Sequence, residues 1–282
     1  MTSARTLRVD LGVPLHPVEV DLLCAFAEVE APFPLEIPAS GSTEIERRSR
    51  YRDAREQLTA RGLADENGPL GVAEDFVFLV RASTGVLDMV LGKEKPTLAA
   101  AILNYRDEAL LVTQDLASAE RMLHMKAVSM DDGLDDLMRL VPMMEAPLTA
   151  PFSLPRRALE DAFHEMTANL PEPDPDDPDR IPEAPRLTSE QMDDLLRRHG
   201  IDDRVARRMV SHLQPVLGNG QVGLARRDDS EDQWQRVGEE LRWLDTERGR
   251  FRLAGDAEWM SVNPLPRDDI RSELRRLAAK TR

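Results

Sequence analysis

The chain has 282 residues, of which 41 % are hydrophobic and 4 % aromatic, and it carries 37 Lys plus Arg against 52 Asp plus Glu, a net charge of −15. This length buries a core without staples, and the acidic balance argues against a phosphate backbone or an anionic lipid surface as partner. The single cysteine, Cys24, excludes an internal disulfide framework, a zinc site of several thiolates and a CxxC redox pair, so a reducing, cytoplasmic compartment fits best.

The N-terminal residues MTSARTLRVD lack the apolar core of a signal peptide. Ser42 and Thr43 then read as caps of a helix over Glu44 to Arg61, closed by Gly62. After Gly71 a second helix places Val72, Phe76, Leu79 and Val80 on one face. The period then changes, and Val86 to Leu91, Leu98 to Tyr105, Ala109 to Leu116 and Arg121 to Val128 are four short apolar runs. The segments GKEKP, RDE and ASAE between them read as the turns of an antiparallel meander. Asp131 and Asp132 open a helix with Leu134, Leu137, Met138 and Val141 on its apolar face, stopped by Pro142.

Residues 171–185, PEPDPDDPDRIPEAP, hold six prolines and six acids in 15 positions and read as an extended linker. Helices are expected at Leu187 to His199 and at Asp202 to Leu217. Strands follow at Gln221 to Arg226, Trp234 to Leu244, Gly249 to Leu253 and Trp259 to Val262, with a final helix from Asp268. The longest uncharged stretch, Met209 to Ala225, spans 17 residues with His, Gln, Asn and Pro inside it, short of the ~20 apolar residues of a membrane span.

The second part repeats the order of the first: helix, helix, four strands, helix. At an offset of 137, Leu22 pairs with Leu159, Phe26 with Phe163, Asp131-Asp132 with Asp268-Asp269 and Leu137 with Leu274. We therefore expect an α+β fold that is internally duplicated and pseudo-two-fold, with a central antiparallel β-sheet flanked by helical bundles. Its halves would be 1–147 and 148–282 within one domain.

Motifs that carry chemistry are incomplete. GNGQVG, Gly218 to Gly223, spells a dinucleotide fingerprint but follows a helix and precedes a strand, the reverse of what a pyrophosphate site needs, so a helix cap and turn is expected there. HEMTA, His164 to Ala168, has Ala where a zincin helix needs its second His. The acids of DDGLDD, Asp131 to Asp136, complement a helix dipole without a ligand. Cys24 in LLCAF reads as a buried thiol. No cofactor or metal site and no catalytic constellation emerges.

Two surface features remain. The final helix sets Ile270, Leu274 and Leu277 on one face with Arg271, Arg275 and Arg276 around it, a pattern that fits either packing onto a sheet or a docking face. The GKEKP turn, Gly92 to Pro96, projects two lysines, as a solubilising tip or as a contact.

The VEVDLL helix with PFPLEIP behind it, the helix ending AREQLTARGLAD, the meander, the linker followed by LTSEQMDDLLRRHGI, and DTERGRFRL before a terminal apolar helix come in an order and spacing that resemble the EspG family. Its members are cytosolic chaperones of the actinobacterial type VII (ESX) secretion systems. The resemblance implies a non-enzymatic chaperone that binds PE-PPE heterodimers or another type VII substrate and keeps them soluble for export. It further implies partner contacts at the sheet, at the hairpin tip Gly92, Lys93, Glu94 and Lys95, and at the C-terminal helix around Ile270, Leu274 and Leu277. The charge difference between the two repeated helices, Arg271 and Arg275 against Asp135 and Asp136, points to the second as the docking helix. The expected state is a monomer or weak dimer. Two other readings stay open on the residues alone: an enzyme with a site dispersed over residues such as His124, His164 and Asp88, and an oligomer subunit that pairs through a sheet edge.

Overall fold

The computed structural model describes residues 12–93, 95–158, 160–161, 188–201, 212–213, 215–227 and 234–281. The acidic segment 171–185, His164 and most of the helix expected from Asp202 lie outside them. The chain divides into two units interleaved along the sequence, Met1–Met143 with Gly218–Arg242 and Arg267–Arg282, and Met144–Leu217 with Trp243–Pro266.

The first unit begins with strand β1 (Val13–Leu15) and helix α1 (Pro17–Ala27). Pro17 presets the first helical turn, and His16 accepts a hydrogen bond from Val18 N while Glu19 accepts one from His16 N at 2.7 Å. Glu19 is itself buried and pairs with Arg61 at 3.1 Å, and Arg61 also donates to the Pro14 carbonyl. This ties β1 and α1 to the end of helix α2 (Glu44–Ala60). Helix α2 is capped by Thr43 and buries only Ala54 and Leu58. Helix α3 (Val72–Ala82) follows Gly71, whose φ of +58° suits glycine.

The meander follows the sequence reading closely, as β2 (Gly85–Gly92), β3 (Pro96–Tyr105), β4 (Glu108–Asp115) and β5 (Leu123–Val128). With β7 (Val216–Arg226) it forms an antiparallel sheet in the order β1-β5-β4-β3-β2-β7. Asp88, Ala101, Val112 and Met125 stand in register across β2 to β5, and Met89, Ala100, Thr113 and His124 form the adjacent row. Because side chains alternate along a strand, the two rows face opposite sides. Val20 and Leu23 of α1 and Phe76, Leu79 and Val80 of α3 pack into one core with Val86, Ala101, Leu103, Val112 and Met125. On the other side helix α4 (Met130–Leu140) lies on β3 and β4. A Cβ at its Gly133 would come 3.0 Å from Ile102 Cδ1, so glycine lets the helix sit close.

Strand β7 starts earlier than the sequence indicates. GNGQVG is not a helix cap and turn but the body of this strand, since Asn219 to Arg226 pair continuously with Gly92 to Gly85. The glycine at 223 has a steric role. A Cβ there would stand 2.2 Å from Arg236 Nη1, and that guanidinium passes over it to reach Asp88 on β2. The single strand expected over Trp234 to Leu244 is two, β8 (Gln235–Arg236) on β7 and β9 (Leu241–Thr246), separated by Gly238 at φ +73°. Helix α6 (Arg267–Ala278) closes this unit, with α5 (Ser189–Arg198) in the second.

The second unit contains β6 (Phe152–Pro155), β10 (Gly249–Gly255) and β11 (Trp259–Pro264), with β9, β10, β11 and β6 adjacent in that order. In the DTERGRFRL segment, Asp245 and Arg250 form a buried two-pronged ion pair at 2.6 and 2.8 Å, with Arg250 over the Trp243 ring at 5.7 Å. Gly249 turns the hairpin at φ +126°, where a Cβ would strike the Glu145 carbonyl oxygen at 2.5 Å. The family-like motif is thus a structural fastener. The fold is α+β with a large antiparallel sheet.

Asp88 is fully buried, its Oδ2 bound by Arg236 and its Oδ1 without a partner. Burial pushes its carboxyl up from 3.8 to about 6, against the pull of the Arg236 hydrogen bond and charge. The folded state therefore holds this proton more tightly than the unfolded chain. Its contribution favours folding below about pH 4 and is lost as pH rises through about 6, a change of about 3 kcal/mol. Asp88→Asn removes the titration, so the stability of the variant relative to the parent should rise by about that amount between pH 4 and pH 7 in paired denaturant melts. Leu274→Ala should lower stability by about 2–5 kcal/mol, as a large-to-small change in a closed core does, read as a drop in the midpoint of the same melts.

Candidate functional site

The β2–β3 hairpin ends in a short tip. Its register shifts between Leu91 and Gly92, Gly92 pairs with Pro96, and Lys93 N donates to the Lys95 carbonyl at 3.3 Å. A Cβ at Gly92 would lie 2.3 Å from that same carbonyl oxygen, so the tight closure depends on glycine. Asn219 Nδ2 on β7 donates to the Lys93 carbonyl at 2.5 Å and ties the tip to the neighbouring strand. Lys93 and Lys95 are exposed, and Glu94 lies outside the described residues. The tip therefore presents two cations on a short, anchored support.

The C-terminal helix differs from the sequence expectation. Ile270, Leu274 and Leu277 are 0 %, 0 % and 1 % exposed, and α6 packs against α4. They are core side chains and do not form the exposed apolar docking stripe expected of them. Arg267 donates to the Val141 carbonyl at 2.9 Å and to that of Met138, which satisfies the open end of α4. Arg271 pairs with Asp135 of α4. Of the charges that distinguish α6 from α4, Arg271 and Asp135 are therefore engaged with each other, while Asp136 is held by Lys126 and Arg139. Arg275 is exposed on the outer side of α6.

The dispersed residues of the enzyme reading do not converge. Asp88 and His124 project from opposite faces of the sheet, as their register rows require, and Asp88 is already held by Arg236. Cys24 is buried, and that burial, reinforced by Asp21 and Glu30, pushes its thiol up to about 12, far from a thiolate at neutral pH. Among the described residues no group of three or more His, Cys, Asp or Glu is placed to hold a metal ion, and no helix is long and apolar enough to cross a membrane.

Sequence reasoning passed over one surface. Phe26 of α1 and Phe78 of α3 are 53 % and 44 % exposed, beside Leu70 at 38 %, in an open groove at the foot of the unbroken apolar run Phe76 to Val80. That run contains more apolar residues than one helix face can bury, which is the signal available in the sequence.

No curated protein matches the chain by sequence. A solved structure of the Mycobacterium tuberculosis type VII secretion system chaperone EspG5, in complex with the PE25-PPE41 dimer, matches with a TM-score of 0.59 at 10 % identity, covering 95 % of this chain and 96 % of that one. At that identity the likeness shows a shared fold. The sequence model of the EspG family matches residues 16–276, from the cap of α1 to the last turn of α6, and the chain belongs to the EspG family.

Proposed function

We propose that this protein is a non-enzymatic, cytoplasmic chaperone of a type VII secretion system that binds a PE-PPE heterodimer and keeps it soluble for export. The observation that carries this reading is the family match over nearly the whole chain, joined to a fold shared end to end with a chaperone solved on such a dimer. The buried thiol and the separated Asp88 and His124 support it against a dispersed active site. The internal duplication, with halves 1–147 and 148–282, remains part of the proposal and rests on the sequence repeat alone.

For the client contact we propose the hairpin tip Gly92 to Lys95 together with α6 at Arg271, which also pairs with Asp135 of α4, and at the exposed Arg275. Ile270, Leu274 and Leu277 act from beneath, by fixing that helix on α4. Lysines on an anchored hairpin lose little motional freedom on binding, and on an acidic chain they offer a local positive field to an acidic partner surface.

Co-expression of the full chain with a PE-PPE pair encoded in the same genome should yield a stable complex on size exclusion. Lys93→Glu with Lys95→Glu should slow association and flatten its salt dependence, with the melting midpoint unchanged. Failure of every such pair to co-purify would overturn the chaperone reading. Parent-like kinetics in the folded double variant would remove the tip from the contact.

A further inference from the structure

Between Trp234 and Leu241 the chain is anchored at both ends and lightly held between them. Trp234 packs against the core of the first unit with the Arg227 guanidinium 4.9 Å from its ring centre, and Leu241 is 1 % exposed. None of Gln235 to Glu240 is buried. Their backbone is fixed by the two-residue strand β8 on Ala225 and Arg226 and by Val237 N, which donates to the Leu224 carbonyl at 2.8 Å. The main closing contact is one side chain. Arg236 passes over Gly223, donates to Oδ2 of the buried Asp88 and lies over the Phe33 ring at 5.0 Å. Its Nε is drawn the other way, to Glu240 at 2.9 Å, and Glu240 is itself held by Arg242 at 2.5 Å. A guanidinium shared in this way does not present a two-pronged edge to Asp88, and Asp88 Oδ1 stays buried without a hydrogen bond. Such an atom regains water when its cover lifts, which favours opening. Little buried surface and few backbone bonds are also the marks of a segment of low local stability.

We infer that Gln235 to Glu240 is a strap that opens locally while the sheet beneath it stays folded, with the contact between Arg236 and Asp88 as its latch. Opening uncovers the edge of β7 at Ala225 and Arg226, where β8 is paired, and lets water reach the Asp88 carboxyl. The latch is linked to a proton. Arg236 and Glu240 are the charged groups that act on Asp88, the first favouring its carboxylate and the second opposing it. With the strap closed, burial outweighs both and holds the carboxyl up at about 6. With the strap open, the carboxyl is in water and returns toward its ordinary value of 3.8. The open form therefore holds the proton less tightly, and the strap loosens as pH rises, by about tenfold in its opening constant between pH 5 and pH 7.5. The strap shares no residue with the hairpin tip or α6, and its opening is read without a client.

The test is amide hydrogen exchange of the full chain, read by mass spectrometry and corrected for the intrinsic pH dependence of exchange. Peptides covering the strap should exchange well ahead of those covering Ala99 to Leu103 of β3. Low urea should leave the strap's rate nearly unchanged and speed that of β3, because a local opening exposes little surface and a global one exposes much. Strap protection should fall about tenfold between pH 5 and pH 7.5, and Asp88→Asn should abolish that fall. Arg236→Gln, a change at a partly exposed side chain, should speed strap exchange at least about tenfold at pH 7.5 with the fold retained by circular dichroism. A strap that exchanges no faster than β3 overturns the local opening. A pH dependence that is absent in the parent, or that persists in folded Asp88→Asn, overturns the proton link. Unchanged strap exchange in folded Arg236→Gln overturns the latch.

Discussion

The central strand of the first unit is buried on both of its faces, and the rest of that unit follows from this constraint. Ala99 to Leu103 of β3 have no exposed surface, and the rows through Ala101 and Ile102 look in opposite directions. A sheet of this kind needs two helical layers. Helices α1 and α3 supply one, and α4 supplies the other. Helix α4 alone does not complete the second layer, because it leaves a flank and the carbonyls at its C-terminal end to be covered. Helix α6, from the end of the chain, covers that flank and caps those carbonyls through Arg267. Its leucines are thereby committed to the interior.

Buried charge is handled locally by pairing, as a low-dielectric interior requires. Asp88 meets Arg236 across the space left by Gly223, and Asp245 meets Arg250 within one hairpin. The two sites differ in completeness. Arg250 grips both oxygens of its partner, whereas Asp88 keeps one oxygen without a hydrogen bond. Burial dominates at Asp88, so its protonation is coupled to folding as pH rises toward neutrality. Segments far apart in sequence, residues 88, 223 and 236, are brought to one point by a single missing side chain.

Two of the surfaces that the described residues leave open differ in what they offer a partner. The hairpin tip offers anchored lysines, and the α1–α3 groove offers exposed aromatics between opposite charges. These differ in physical character. The first is suited to steering and orienting an acidic partner, and the second to excluding water over a small apolar contact. A chaperone that must hold and later release a client is served by contacts of moderate area on a rigid support.

The amino-acid sequence by itself determined the local elements. Capping residues and glycines set the ends of α2 and α3, and runs of β-branched and aliphatic residues placed β2 to β5 within a few positions, because those signals act over a few neighbouring residues. The order of loose motifs was enough to point to the family. It did not reveal β1 or β6, of three and four residues, which are too short to carry a period and exist through pairing alone. Nor did it decide the part played by the last helix. Ile270, Leu274 and Leu277 have the spacing of an amphipathic face, and spacing states that a face is apolar without stating what covers it. The same holds for Phe26 and Phe78, apolar side chains that stand partly in water. Only the tertiary structure decides such cases, because burial is a property of which elements meet, and α4 and α6 meet across more than a hundred residues of chain.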